Sequence, residues 1–106
     1  MPPSKHALLS LLQSHIGEAK GISVRDIAYH MRTSERQVRL AVTELRMDGI
    51  AVCGHPTTGY YIAETPEELE RTCTFLRSRA LQSLTLEANL RRVPLPDLIG
   101  QLHLRT

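Results

Sequence analysis

Between Ser34 and Asp48 the chain carries Arg36, Gln37, Arg39, Thr43 and Arg46, residue types whose side chains hydrogen-bond base edges when they line one face of a helix. At about 100° per residue, Val38, Ala41, Val42 and Leu45 point one way. The opposite face centres on Arg36, Leu40, Thr43 and Met47. Arg39 and Arg46 flank it on one side, Gln37 and Glu44 on the other. Arg bonds guanine bidentately, Gln pairs with adenine, and Thr or Leu touches a thymine methyl; a good bidentate pair discriminates by about 1–3 kcal/mol. Thr33 and Ser34 add hydroxyls at the helix start, where a phosphate is favoured. An ordinary solvated face would carry the same Arg, Gln, Thr and Glu. Outward Leu40 and Met47 are less expected on such a face, and they also suit a protein contact.

Other chemistry is thinly represented. Cys53-Gly54-His55 is a lone C-x-H pair, and Cys73 lies well beyond it. Zinc sites need about four ligands at paired spacings, and His6, His15, His30 and His103 are scattered without such spacing. Both cysteines read as small buried apolar residues. Asp26 and His30 are an i, i+4 pair of the surface kind. No cysteine has an orienting base specified, and no Gly-rich phosphate loop exists. The expectation is no enzyme, no metal, no cofactor and no small-molecule ligand.

The elements that must hold the Arg-rich face are signalled by their starts. Ser4 precedes an apolar run through Leu8, Leu11 and Leu12, extended to Ile16, with Gly17 as its stop. Ser23 opens a second helix carrying Ile27, Ala28 and Met31 on one face. Ser34-Glu35-Arg36-Gln37 is a capping box opening the third, and Asp48-Gly49 ends it. Ile50 to Cys53 and Gly59 to Ile62 read as short strands around the turn His55-Pro56-Thr57-Thr58-Gly59, and Gly21-Ile22-Ser23 offers a third. Thr65-Pro66-Glu67-Glu68 starts a fourth helix, with Pro at its first position. Two helices joined by a tight turn, the second running into a hairpin, are the layout of a winged helix. The fold class is therefore mainly α with a small β-hairpin, and Ser23 to Ile62 is the reading unit.

The segment Ile22-Ser23-Val24-Arg25-Asp26-Ile27-Ala28, then Ser34-Glu35-Arg36-Gln37-Val38-Arg39, then Leu45-Arg46-Met47-Asp48-Gly49-Ile50 resembles bacterial winged helix-turn-helix regulators. The continuation Gly59-Tyr60-Tyr61-Ile62-Ala63 into Glu67-Glu68-Leu69-Glu70 looks like small DNA-binding proteins of phages and mobile elements. The resemblance covers about residues 20–80. It implies sequence-specific binding of double-stranded DNA, with Ser34, Arg36, Gln37, Arg39, Thr43 and Arg46 at DNA-facing positions. Two departures stand out. Arg32 occupies the turn position where many relatives place Gly, which strains the turn or adds a cation beside a phosphate. The wing tip has no Lys or Arg, so its contacts would rest on Thr57, Thr58 and protonated His55.

Thr65 to about Arg92 would make one helix of about 28 residues, about 42 Å long. Leu69, Cys73, Leu76, Ala80 and Leu84 form one stripe on it, with Phe75, Leu86 and Leu90 beside them. A helix apolar on more than one face needs cover on more than one side. A two-fold homodimer through Leu69, Phe75, Leu76, Leu84, Leu86 and Leu90 provides that cover and pairs two reading helices on a palindromic site. A chain folded back at Ser83 or Ala88 would be the alternative. Pro94 and Pro96 break the helix, and Pro96 to Leu104 reads as a short terminal helix.

The bounds are then residues 1–63 for the winged domain, 64–92 for the long helix and 93–106 for a tail. A chain of 106 residues with 42% hydrophobic residues has enough for one small core, and with a single Phe and no Trp that core must be aliphatic. The formal charge of +2 decides nothing about nucleic acid by itself. Residues 1–55 hold seven Lys/Arg against five Asp/Glu, and the remainder six of each, so the excess lies with the reading unit. Two cysteines are too few for a disulfide framework, and no leader or membrane span is evident. The expected setting is cytoplasmic. The competing function is a winged helix used for protein interaction or dimerisation without DNA.

Overall fold

A computed structural model of the chain describes residues 4–102. Helix α1 spans Lys5–Leu12, a 3₁₀ turn Glu18–Lys20, α2 Val24–Met31 and α3 Glu35–Met47. Strands β1 (Val52–His55) and β2 (Gly59–Ile62) follow, then α4 (Pro66–Arg91) and α5 (Leu95–Gln101). The chain is mainly helical with one antiparallel hairpin. The expected terminal helix starts one residue earlier than its sequence signal, and its last expected residues, His103 and Leu104, lie outside the described residues. Two compact units divide after Thr72.

The helix starts follow their caps. The hydroxyls of Ser4, Ser23 and Ser34 each accept the backbone N–H three residues on, at 3.1 Å. Thr65 does the same for Glu68 at 3.2 Å. The core of the first unit is aliphatic. Leu8 and Leu12 of α1, Ile27 and Ala28 of α2, and Val38, Ala41, Val42 and Leu45 of α3 converge with Ile22 and Val52. Lys5 pairs with Asp48 at 2.6 Å, which ties the start of α1 to the end of α3. The Asp48 carboxylate, by hydrogen bond and charge, raises the Lys5 pKa.

Helix α1 stops at Leu12, short of the expected Gly17. Ile16 leaves the helical face and bridges Ile62 of β2 instead. The reason is long-range pairing. The Ile62 N–H donates to the His15 carbonyl at 2.9 Å, and the Gly17 N–H donates to the Ile62 carbonyl at 2.8 Å. The short run at Ile22 also joins β2, as an exchanged pair with Tyr60 at 2.9 and 2.7 Å. Strand β2 is thus held on one edge by β1, in register Val52 with Ile62 and His55 with Gly59, and on the other by these bridges.

The first unit reaches beyond residue 63, the expected end of the domain, because the first turns of α4 are bonded into it. Glu68 accepts N–H bonds from Glu18 at 3.0 Å and Glu64 at 2.8 Å. Those bonds, the Glu18 amide first, hold its carboxyl below the usual range. Arg71 pairs with Glu18, Cys53 lies 3.7 Å from the Glu68 carbonyl, and the Gly54 N–H donates to buried Thr72.

The second unit contains the rest of α4 and α5. Helix α4 ends in an Arg92 of φ 58°, with the Val93 N–H bonded to the Ala88 carbonyl at 3.0 Å. Ala88 and Leu98 are buried. Phe75 and Leu84 are half-buried, with the Arg79 guanidinium 5.7 Å from the Phe75 ring centre. No helix among the described residues is long and apolar enough to cross a membrane.

Candidate nucleic-acid interface

The turn joining α2 to α3 is only three residues, Arg32 to Ser34, and it sets how α3 is presented. Arg32 takes the left-handed conformation, φ 54° and ψ 51°. The Thr33 N–H bonds the Ala28 carbonyl at 3.0 Å, closing the end of α2. A non-glycine residue is strained there by about 1–2 kcal/mol. We expect Arg32→Gly to raise the stability of the first unit by about 0.5–1 kcal/mol, because glycine relieves that strain but gains freedom in the unfolded chain. A lower denaturation midpoint for the variant would contradict this account of the turn.

Beside the turn lies an open groove of ≈ 830 Å³, lined among others by Arg25, Tyr29, His30, Arg32, Ser34 and Glu35. Tyr29 is 82% exposed. Its ring meets that of His30 edge-on at 5.9 Å. Asp26 and His30 both lie at the surface. Arg25, Tyr29 and His30 are not among the DNA-contacting residues expected from sequence. Their signal was present: Arg25 and Tyr29 stand four apart on the polar face of α2.

Helix α3 buries Val38, Ala41, Val42 and Leu45, and it exposes Arg36, Arg39, Leu40, Thr43 and Met47. Thr33 and Gln37 are half-buried, and Ser34 is exposed while its oxygen caps the helix. Arg39 pairs loosely with Glu35 at 3.4 Å. The Thr43 hydroxyl donates to the Arg39 carbonyl at 3.1 Å.

Arg46 is placed differently from its fellows. Its Nε–H donates to the Val52 carbonyl at 2.8 Å, and its guanidinium sits 6.0 Å from the Tyr60 ring centre. It braces the end of α3 against the hairpin, a distance of only six residues in sequence. At the hairpin tip, the Thr57 hydroxyl and the His55 ring nitrogen lie 2.8 Å apart, and the Thr58 N–H closes the turn onto the His55 carbonyl at 3.1 Å. The tip groups named from sequence are therefore engaged with one another.

Of the residues expected at a dimer contact, Leu69, Leu76, Leu86 and Leu90 are exposed, Leu90 to 86%, whereas Phe75 and Leu84 are half-buried. Cys53 is buried, as expected, but Cys73 is exposed, because its side of α4 is uncovered. Among the described residues no three His, Cys, Asp or Glu side chains converge as metal ligands. Compared with known proteins, the chain matches no family model, no curated protein and no solved structure.

Proposed function

We propose that the first unit is a winged helix-turn-helix that binds double-stranded DNA sequence-specifically, with α3 in the major groove, and that the chain acts as a homodimer. Its role is then that of a small cytoplasmic transcriptional regulator or a phage-type DNA-binding protein. The observation that carries this reading is the outward face of α3. Arg25, from the start of α2, and Arg32, in the turn, line the groove beside its N-terminal end, and it carries Arg36 and Arg39, while its opposite face is wholly buried. The hairpin directly after α3 supplies a wing, and its neutral tip would contribute shape more than charge.

A protein-interaction module is the second reading, favoured by exposed Leu40 and Met47. Titration of duplex DNA against salt separates the two. A DNA reader loses affinity linearly in log–log form as salt rises, with a slope set by the phosphates it neutralises. Absence of binding at about 50 mM salt, or a flat response, would count for the protein module.

Single substitutions locate the contacts. We expect Arg36→Ala to relax base choice at one position by about 1–3 kcal/mol. Arg32→Ala should weaken all duplexes alike and reduce the salt slope by about one. An unchanged selected site in Arg36→Ala would move α3 out of the groove.

A further inference from the structure

We infer that α3 reads thymine C5-methyl groups along most of its length, with hydrogen-bonded base reading concentrated at its N-terminal end. The inference rests on the duplex binding proposed above. Leu40, Thr43 and Met47 succeed one another at three- and four-residue steps, so they form one line along the outward face. Leu40 is 48% exposed and Met47 83% exposed, on a helix whose opposite face is already buried.

Apart from exposed Glu44, the polar groups flanking that line beyond the first turn are engaged elsewhere. The one hydroxyl proton of Thr43 goes to the Arg39 carbonyl. Arg46 is held by the Val52 carbonyl, and Arg39 is drawn toward Glu35. Hydrogen-bonding capacity for base edges therefore falls mainly to Arg36 and half-buried Gln37, both in the first turn. Beyond them the line presents methyl and thioether surface.

In the major groove the group that such a surface complements is the thymine C5-methyl, the apolar feature that distinguishes one base edge there from the others. The charge around the line selects the occupant. Arg25, Arg32, Arg36 and Arg39 stand beside or ahead of it, against Glu35 and Glu44, which favours a polyanion over an apolar protein helix.

The test begins with the intact protein and the best duplex selected from random sequence. Every thymine of that site is replaced by uracil, which removes only the C5-methyl. Each lost methyl contact should weaken binding about three- to fivefold, so the whole site should lose at least about tenfold. The double variant Leu40→Ala, Met47→Ala should lose most of that thymine preference, keeping only what the Thr43 methyl supplies, with the wild-type salt slope. Both side chains are exposed, so folding is not at stake.

Equal wild-type affinity for the two duplexes would overturn methyl reading while leaving DNA binding intact. A selected site without thymine would do the same. A uracil penalty undiminished in the double variant would assign the effect to duplex shape and also overturn it. Failure to bind any duplex would overturn both this inference and the DNA-binding reading, and would turn Leu40 and Met47 toward a protein partner.

Discussion

Gly59→Ala is expected to destabilise the first unit by about 2–5 kcal/mol, a large share of what holds a domain of this size together. Two costs combine. Gly59 has φ 76°, a left-handed conformation that costs a residue with a Cβ about 1–2 kcal/mol. A Cβ there would also run into the Ile22 carbonyl and stand 2.9 Å from the Ser23 backbone nitrogen. Forcing atoms into a packed site adds about 1–3 kcal/mol. The neighbour cannot yield cheaply, because it is backbone rather than a flexible side chain. Ile22 exchanges both its backbone bonds with Tyr60, and the next residue, Ser23, caps α2. Moving Ile22 therefore loosens the hairpin and the start of α2 together.

Gly49 supplies the internal control. Its φ is 86°, and nothing lies within 4 Å of where its Cβ would be. Gly49→Ala should cost the backbone strain alone, about 1–2 kcal/mol. Thermal or urea unfolding monitored by circular dichroism measures both variants. If Gly59→Ala costs no more than Gly49→Ala, the close approach of β2 to Ile22 is wrong.

The contrast between these two glycines also marks how far local sequence carries. The caps at Ser4, Ser23, Ser34 and Thr65 were legible because a cap is a bond over three residues, and the structure forms all four. The buried face of α3 was legible from its period. Ile16 was not, because its fate depends on Ile62, far along the chain. Helical phase placed Arg46 beside the outward face, but a carbonyl six residues on captured it. The extent of the first unit into α4 was hidden for the same reason. Glu68 reads locally as a capping residue, yet one of its backbone partners is the amide of Glu18. For the candidate interface, the exposed residues of α3 were readable, whereas the groove beside Arg32 required α2 and the turn in three dimensions. The apolar excess of α4 was also plain, but sequence period cannot say what covers it.

Leu76→Glu addresses that cover, and it is expected to convert a dimer to monomers. Helix α4 runs 26 residues, yet residues 76–83 are exposed on every side. An isolated helical stretch of that length is marginal in water. Leu76, 42% exposed, lies within it, and Leu90 and Leu86 fall on or beside the same side of the helix further along, at 86% and 58%. A second copy of α4 would bury these residues symmetrically, so one substitution removes two contacts. Losing about 1.5–3 kcal/mol of leucine burial in each copy, and setting two carboxylates in an apolar seam, should weaken association about a hundredfold or more. The first unit should keep its fold in the monomer, because Leu76 lies outside it, and Glu is a good helix former within α4. Leu76→Met should remain dimeric, which separates apolar contact from general disturbance of the helix. Sedimentation at micromolar concentration reads the mass directly. A monomeric wild type, or a Leu76→Glu variant of unchanged mass, would remove this surface of α4 as the dimer contact. On DNA the consequence is selective. The variant should lose the advantage of a two-fold site over a single half-site while keeping the base preferences set by Arg36, since those belong to each copy of α3 alone.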